Sequence, residues 1–405
     1  MGKAVNSKAV FGIDVIMKYK VLLVGYHGKH NLGDDIFRRV LIDAISCHTA
    51  ISTVWILAAN QVGTVDQTPL GLEVRWLKNP NWLPGRLRWL SVLVHSFKVH
   101  GIIFGAGTLF KNQGFDEIYK VLRMREKVVG QPFYKVACGV SVGPFSSQKK
   151  QSACFRLLSC FDNVLLRDEI SEVRLTEAQT DTQNISFTTG FDLALGLTEY
   201  PAVKRADPEG VIIIGISVTP RAFPEWKDVD VKFGEFCESL IKLGNNARTI
   251  VFRILVACTD PKDGDQAISS QLEKTLKAAG CATEVIMHND SSLDDTFQKI
   301  GSCTALIASR MHVGIVGLIY RIPVFQISYE EKISAFYKRH NLSTNLLLKS
   351  DELNQTVLQS KLKSIVDCSE EKYASISEVH LRDCREAIKI HLEKSLNDFA
   401  KNRNV

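Results

Sequence analysis

Two α/β domains, each a doubly wound (Rossmann-like) parallel sheet with helices on both faces, are what this sequence predicts. Three observations carry the prediction. Short apolar runs of strand length alternate with segments of helical periodicity, the mark of βαβ units. At 405 residues the chain exceeds one ordinary core and suits two. A polar, turn-rich stretch at residues 200–210 (YPAVKRADPEG) interrupts the alternation, and a second series starts after it. The expected units are residues 18–200, residues 208–345, and a helical segment at 346–405 that packs back on the domains.

Residues 20–25 (KVLLVG) read as a buried strand that runs into a glycine turn at 25–35 (GYHGKHNLGDD). Residues 34–47 then form an amphipathic helix with Ile36, Phe37, Val40, Leu41 and Ile45 on one side, and Asp34 and Asp35 suit its first turn. Further strands are expected at 54–59, 74–77, 101–104, 134–142, 164–167 and 185–187. The second series places strands at 211–218, 250–258, 284–288, 305–309 and 322–329. Residues 372–399 read as a closing helix, with Leu381, Cys384, Ile388, Leu392, Leu396 and Phe399 at helical spacing. Two such domains facing a cleft, closed by a terminal helix, form a GT-B-like layout by analogy of pattern.

Composition narrows the class. Hydrophobic content of 45% and charged content of 23% suit a globular chain. A net charge of +6 is mild and spread out, and no RNP-like, zinc-finger or helix-turn-helix signature accompanies it, so no nucleic-acid partner is expected. Ten cysteines without a C-x-x-C pair point to a reducing compartment. Residues 1–20 lack a signal-peptide pattern, with Met17 an alternative start, and no apolar run reaches the ~18 residues of a spanning helix. A soluble, cytoplasmic protein is the expectation.

Chemistry concentrates in residues 305–329. The run ALIASR reads as a strand ending on Arg310, MHVGIVGLIY as a short apolar helix, and RIPVFQISY as a second strand. Arg310 and His312 therefore stand at the carboxyl edge of a parallel sheet, where ligands bind, beside the free N–H groups and positive dipole of a helix start. Arg, His and a helix start suggest an anionic substrate and a proton to move. Arg221 follows the first strand of the second series at a similar edge, and a guanidinium grips carboxylate or phosphate bidentately. A surface ion pair is the competing account of each arginine. Lys332 opposes the dipole of the helix it opens, so an anion would relieve it there.

In the first series, the 25–35 turn is spaced G-x-x-G-x-x-x-x-G. That is neither a dinucleotide fingerprint nor a P-loop, and no cofactor is expected. The turn is either a tight, Asp34-capped turn or a sugar-binding loop in which Asn31 and Asp34 orient hydroxyls. His27 and His30 read as solvent-facing, and no metal is expected. Gly107, in GAGTLF, belongs to a strand-to-helix turn or to a cleft-lining loop of N–H donors. Arg167 and Asp168 read as a structural pair. Residues 79–98 (NPNWLPGRLRWLSVLVHSFK) are basic and aromatic, suited to a domain helix or to peripheral contact with a membrane surface at its inner face.

Together these stretches resemble the polysaccharide pyruvyl transferase family. GYHGKHNLGDD is similar to its glycine turn with N-x-G-D, GAGTLF to its glycine-rich loop, VLLRDEIS to its R-D-x-x-S segment, and SRMHVGIVGLIYRIPVFQISYEEK to its S-R-x-H block. The resemblance spans about residues 20–342. Ala106 interrupts the glycine run, Met311 replaces a common Leu, and Arg321-Ile322-Pro323 lacks the usual glycine. The resemblance implies transfer of pyruvate from phosphoenolpyruvate to a sugar residue of a glycan, free or lipid-linked, as a ketal across two hydroxyls. It implies that Arg221 and Arg310 bind carboxylate and phosphate with the Met311 backbone assisting, and that His312 is the acid. Asp34 and Asn31 are the acceptor-side candidates. A glycosyltransferase using a nucleotide sugar and a non-catalytic saccharide-binding relative are the alternatives.

Overall fold

The structure is a computed structural model. It describes residues 18–58, 65–78, 88–111, 114–131, 133–178, 184–203, 210–224, 226, 231–245, 250–261, 264–288, 293–353, 355–367 and 376–401. In chain order the first series is β1 (Tyr19–Val24), α1 (Leu32–Ser46), β2 (Ile51–Ala58), β3 (Val65–Gln67), β4 (Glu73–Lys78), α2 (Arg88–Ser96), β5 (Gly101–Phe104), α3 (Phe115–Val129), β6 (Tyr134–Val140), α4 (Gln148–Leu158), β7 (Asn163–Leu166), α5 (Glu169–Ala178) and β8 (Phe187–Thr189). The second is β9 (Ile212–Ser217), α6 (Val231–Gly244), β10 (Ile250–Val256), α7 (Gln266–Ala278), β11 (Ala282–Met287), α8 (Leu293–Gly301), β12 (Ala305–Ala308), α9 (Met311–Ile319), β13 (Val324–Ser328), α10 (Glu331–Arg339) and β14 (Leu347–Lys349). The chain ends with α11 (Gln355–Asp367) and α12 (Glu378–Lys401).

The first sheet has the order β3-β4-β2-β1-β5-β6-β7-β8 and the second β11-β10-β9-β12-β13-β14. Every pairing is parallel except β3 with β4. Both are open, doubly wound sheets whose order reverses at an inner strand, so crevices form beyond the carboxyl ends of their strands. The pleat divides the core. Val21 and Leu23 of β1 face one apolar cluster while Leu22 and Val24 face another, and Leu306 and Ala308 of β12 oppose Ala305 and Ile307 in the same way. One cluster is shared by both sheets: it joins Leu23 and Phe37 to Leu306, Val313 and Val316 through α1, α8 and α9. Helix α12 then runs onto the first sheet. Tyr134 donates from its hydroxyl to the Ser395 carbonyl at 2.7 Å, and the Phe399 ring packs on Tyr19 and Tyr134.

Several expectations shift. Helix α1 begins at Leu32 because Asn31, not Asp34, is the cap: its side chain accepts from the Gly33 N–H at 3.1 Å. Strand β13 starts after Pro323, which cannot donate to the ladder. Of the helix expected within 79–98, α2 is described, while residues 79–87 lie outside the described residues, as do 204–209 of the turn-rich stretch and 368–375 before α12. Strands β3 and β14, three residues each, carry too little pattern to be read. The nine described cysteines are unpaired thiols. Among the described residues no helix is long and apolar enough to cross a membrane.

Candidate functional site

The carboxyl ends of strands from both sheets converge on one cleft of about 200 Å³. Turns after β1, β5 and β7 line it from the first sheet, and turns after β9, β10, β12 and β13 from the second. All eight residues singled out from the sequence line it: Asn31, Asp34, Gly107, Arg221, Arg310, Met311, His312 and Lys332. The partners they hold there were not foreseen.

His312 sits in the first turn of α9, whose N-cap Arg310 makes no side-chain capping bond. On one side its ring meets α1: a Cβ on Gly33 would lie 2.1 Å from the imidazole Nδ1, and Phe37 meets the ring edge-on at 5.3 Å. Gly33 is thus glycine so that this imidazole can approach. On the other side the His312 Nε2 stands 3.6 Å from a carboxylate oxygen of Asp192, an ion-pair distance rather than a hydrogen bond. Asp192 is buried at the start of a 3-10 helix, Leu193–Gly196, where it accepts from the Ala194 N–H at 3.0 Å and faces Arg167 at 3.3 Å. Burial alone would raise its pKa, but His312 and Arg167 outweigh that and hold it at about 2.

Arg310 is committed to Asp265. Its Nε lies 3.0 and 2.9 Å from the two carboxylate oxygens, and its terminal nitrogen donates to one of them at 2.5 Å. The competing account of this arginine, an ion pair, therefore holds in part, although Arg310 also lines the cleft. Burial opposes its charge, yet Asp265 raises its pKa above the usual value. Lys332 is also provided for: Glu330, just ahead of α10, holds its ammonium at 2.7 Å and is within reach of Arg221 at 3.7 Å and Lys111 at 3.9 Å. The anion expected near Lys332 is thus the chain's own Glu330. Burial nonetheless lowers the Lys332 pKa. Arg221 remains half exposed.

Asp34 projects into the cleft from the first turn of α1. Burial, then its neighbour Asp35, raises its carboxyl pKa to about 7, against the pull of Arg167, Lys29 and Lys332. Asn31 lines the same wall with its side-chain oxygen already given to the helix cap. Gly107 owes its identity to Arg167, whose guanidinium lies 2.3 Å from where a Cβ would stand, and the neighbouring Gly105 N–H is taken by the Val24 carbonyl.

One other expectation fails and another holds only in part. His27 is 1% exposed, not solvent-facing, and burial lowers its pKa to about 3. Arg167 is more than a partner of Asp168: its Nε donates to Ser141 at 2.6 Å, it faces Asp192, and it lines the cleft. The residues missed were Asp192, Asp265, Glu330 and Lys29, while Arg167 was read only as a structural partner of Asp168. For Asp192 a signal did exist, an acidic residue in Gly190-Phe191-Asp192 after a short strand, but not the fact that it faces a histidine 120 residues away.

Comparison with known proteins fixes the family. A family model described as polysaccharide pyruvyl transferase matches residues 17–331, most of the chain. The chain belongs to that family. No curated protein matches it. Solved structures similar to this polysaccharide pyruvyl transferase family member include sucrose-phosphate synthase from Thermosynechococcus elongatus, at 10% identity and TM-score 0.60 over 94% of this chain and 98% of that one. Another is UDP-GlcNAc 2-epimerase from Neisseria meningitidis bound to UDP-GlcNAc, at 12% identity and TM-score 0.55 over 94% and 100%. A third is trehalose 6-phosphate synthase from Burkholderia multivorans, at 9% identity and TM-score 0.54 over 95% and 97%. At such identities the likeness concerns the fold, which is GT-B-like.

Proposed function

We propose that this family member transfers pyruvate from phosphoenolpyruvate to two neighbouring hydroxyls of a sugar residue in a polysaccharide or its precursor. The observation that carries the reading is His312, flanked by Gly33 and Asp192 at the start of α9, sharing a cleft with Arg221, Arg310 and Lys332. The donor carries a carboxylate and a phosphate. Arg221, Arg310, Lys332 and the first-turn amides of α9, including that of Met311, supply positive charge and N–H donors for both. Glu330 and Asp265 fix these cations in place and also temper their charge.

His312, protonated, gives its proton to the donor methylene, and C2 becomes an oxocarbenium-like centre. A sugar hydroxyl attacks C2 while Asp34 takes its proton as base. Phosphate leaves, and the second hydroxyl closes the ketal. Of the two protons released from the hydroxyls, one restores His312 and the other departs with phosphate. Asn31 and Gly107 lie on the acceptor wall. A cleft of about 200 Å³ falls below the roughly 300–1,000 Å³ of drug-sized ligand sites, so a donor of a few heavy atoms fits while a glycan chain extends outside.

The test is direct. Phosphoenolpyruvate is expected to raise the melting temperature where nucleotide sugars do not, and with galactose- or mannose-type glycans it is expected to yield phosphate and a ketal methyl signal by NMR. Arg310→Ala should weaken the donor's effect. Stabilisation by a nucleotide sugar, with none by phosphoenolpyruvate, would replace this reading with glycosyl transfer.

A further inference from the structure

Outside the substrate cleft, three side chains of metal-ligand type meet. His340, the C-cap residue of α10, and His380 and Cys384, one turn apart on α12, each bring one ligand atom to within 4.8 Å of the others. None of the three lines the substrate cleft. We propose that His340, His380 and Cys384 bind a single divalent ion of the zinc class, which fastens the start of α12 to the second domain.

Geometry supports the ligand set. The His340 Nδ1 stands 2.8 Å from the His380 Nε2, and the Cys384 Sγ stands 3.7 Å from that same nitrogen. Tetrahedral zinc, with Zn–N near 2.0–2.1 Å and Zn–S near 2.3 Å, separates two ligand nitrogens by roughly 3.3 Å and sulfur from nitrogen by roughly 3.6 Å. The Cys384-to-His380 spacing already fits, the two rings need part by only about 0.5 Å, and the Cys384 sulfur lies within 4.8 Å of the His340 ligand atom. His380 and Cys384 lie four residues apart and so share one face of α12. Cys384 is fully buried and His340 nearly so, and Phe336 (4.4 Å between ring centroids) and Phe191 (5.7 Å) pack on the His340 ring.

The donor chemistry narrows the ion. Two imidazoles and a thiolate in an apolar shell suit zinc and disfavour magnesium or calcium, which take oxygen ligands. Arg339 adds positive charge nearby, over the Phe191 ring, and the thiolate offsets it. On binding, Cys384 releases its thiol proton to solvent, and the proton held between the two rings moves to the far nitrogen of the imidazole that carries it, so that both facing nitrogens are open to the ion. The sequence hides the set because His340 and His380 are 40 residues apart and no C-x-x-C or H-x-x-x-H spacing marks it.

The test uses the full chain, purified without an affinity tag. Titration with Co²⁺ is expected to saturate at one equivalent, with visible bands of a tetrahedral site and a near-ultraviolet thiolate-to-cobalt charge-transfer band that Zn²⁺ abolishes. Zn²⁺ should also raise the melting temperature. In Cys384→Ser the charge-transfer band should vanish and zinc affinity fall by at least about 100-fold, the upper end of what losing a group that merely supports a ligand costs. His380→Ala, at a half-buried position, should lose affinity comparably. Absence of the charge-transfer band in the wild-type chain at stoichiometric cobalt, or its persistence in Cys384→Ser, overturns the proposal. The wild-type readout stands whether or not a variant folds.

Discussion

In the proposed reaction the proton donor, His312, depends on what faces it. Burial works against the charge of the Asp192 carboxylate, yet the imidazole and Arg167 keep it ionised, at about 2, and it faces the His312 ring at 3.6 Å, where the proposed reaction would use it to orient that ring. His312→Ala is expected to lower turnover by the ~10²–10⁴-fold that a general acid contributes while sparing phosphoenolpyruvate binding. Asp192→Asn keeps the shape and loses the charge. It should lower kcat by about 10-fold or more, since each 1.4 kcal/mol lost is a factor of ten, and steady-state kinetics with wild-type rates in that variant would remove Asp192 from the mechanism. Asp34 yields a pH prediction. With its pKa raised to about 7, by burial first and Asp35 second, a base at this position switches on as pH rises through about 7, so kcat/KM should climb there and flatten in Asp34→Asn. Stability runs the other way. The folded pKa lies above the unfolded value of about 3.9, so the folded state holds this proton more tightly, and stability is lost as pH rises from about 4 to about 7. Asp34→Asn should therefore gain melting temperature relative to wild type between pH 5 and pH 8.

Elements were far more legible in the sequence than partners. Apolar runs locate strands, strands in a parallel sheet define a carboxyl edge, and Arg310, His312, Arg221 and Asp34 fall on that edge by position alone. The acidic partners were hidden because three-dimensional proximity joins residues that spacing cannot relate: Asp265 is 45 residues from Arg310, and Asp192 is 120 from His312. Each of the two glycine loops reads in the sequence either as a tight turn or as a ligand-binding loop, whereas in the structure Gly33 and Gly107 make room for His312 and Arg167. Helix α2 carries a second proposal at this scale, contact with a membrane surface. Leu90, Val94 and Phe97 are 47%, 55% and 40% exposed and fall at i, i+4 and i+7, one apolar stripe in or just past a helix beside a basic segment. Leu90→Asp with Val94→Asp should abolish co-sedimentation with anionic vesicles and leave turnover on a soluble acceptor unchanged. Equal sedimentation of this variant and wild type would leave α2 an ordinary surface helix.

Across the whole molecule, the two sheets are not joined by the cleft alone. Helix α1 of the first domain packs on α8 and α9 of the second within one apolar cluster, and its approach is fixed by backbone bonds from the Leu32 N–H to the Ala257 carbonyl at 2.9 Å and from the Thr259 N–H to the His30 carbonyl at 3.0 Å. Domains that hinge freely meet through smaller, more polar surfaces. Here the walls holding Asp34 and His312 are preset, which suits a reaction needing an acid and a base on opposite sides of one carbon. A buried polar clamp sits beside this contact: the His288 Nε2 lies 2.7 Å from one Asp35 carboxylate oxygen, and Arg38 donates to the other at 2.6 Å. Asp35 and His288 are each 1% exposed, so the carboxylate cannot turn to water if its partner goes. His288→Ala should cost roughly 1.5–3 kcal/mol, the worth of a hydrogen bond to a charged group, and part of that loss should appear as loosening between the domains. Hydrogen exchange is expected to quicken at the Leu32 and Thr259 amides while the amides of β5 and β12 keep their protection. Turnover should fall with it, because the α1 wall that carries Gly33 and Asp34 then drifts from His312. Unchanged exchange at Leu32 and Thr259 in a folded His288→Ala chain would mean that the apolar contact alone holds the domains together.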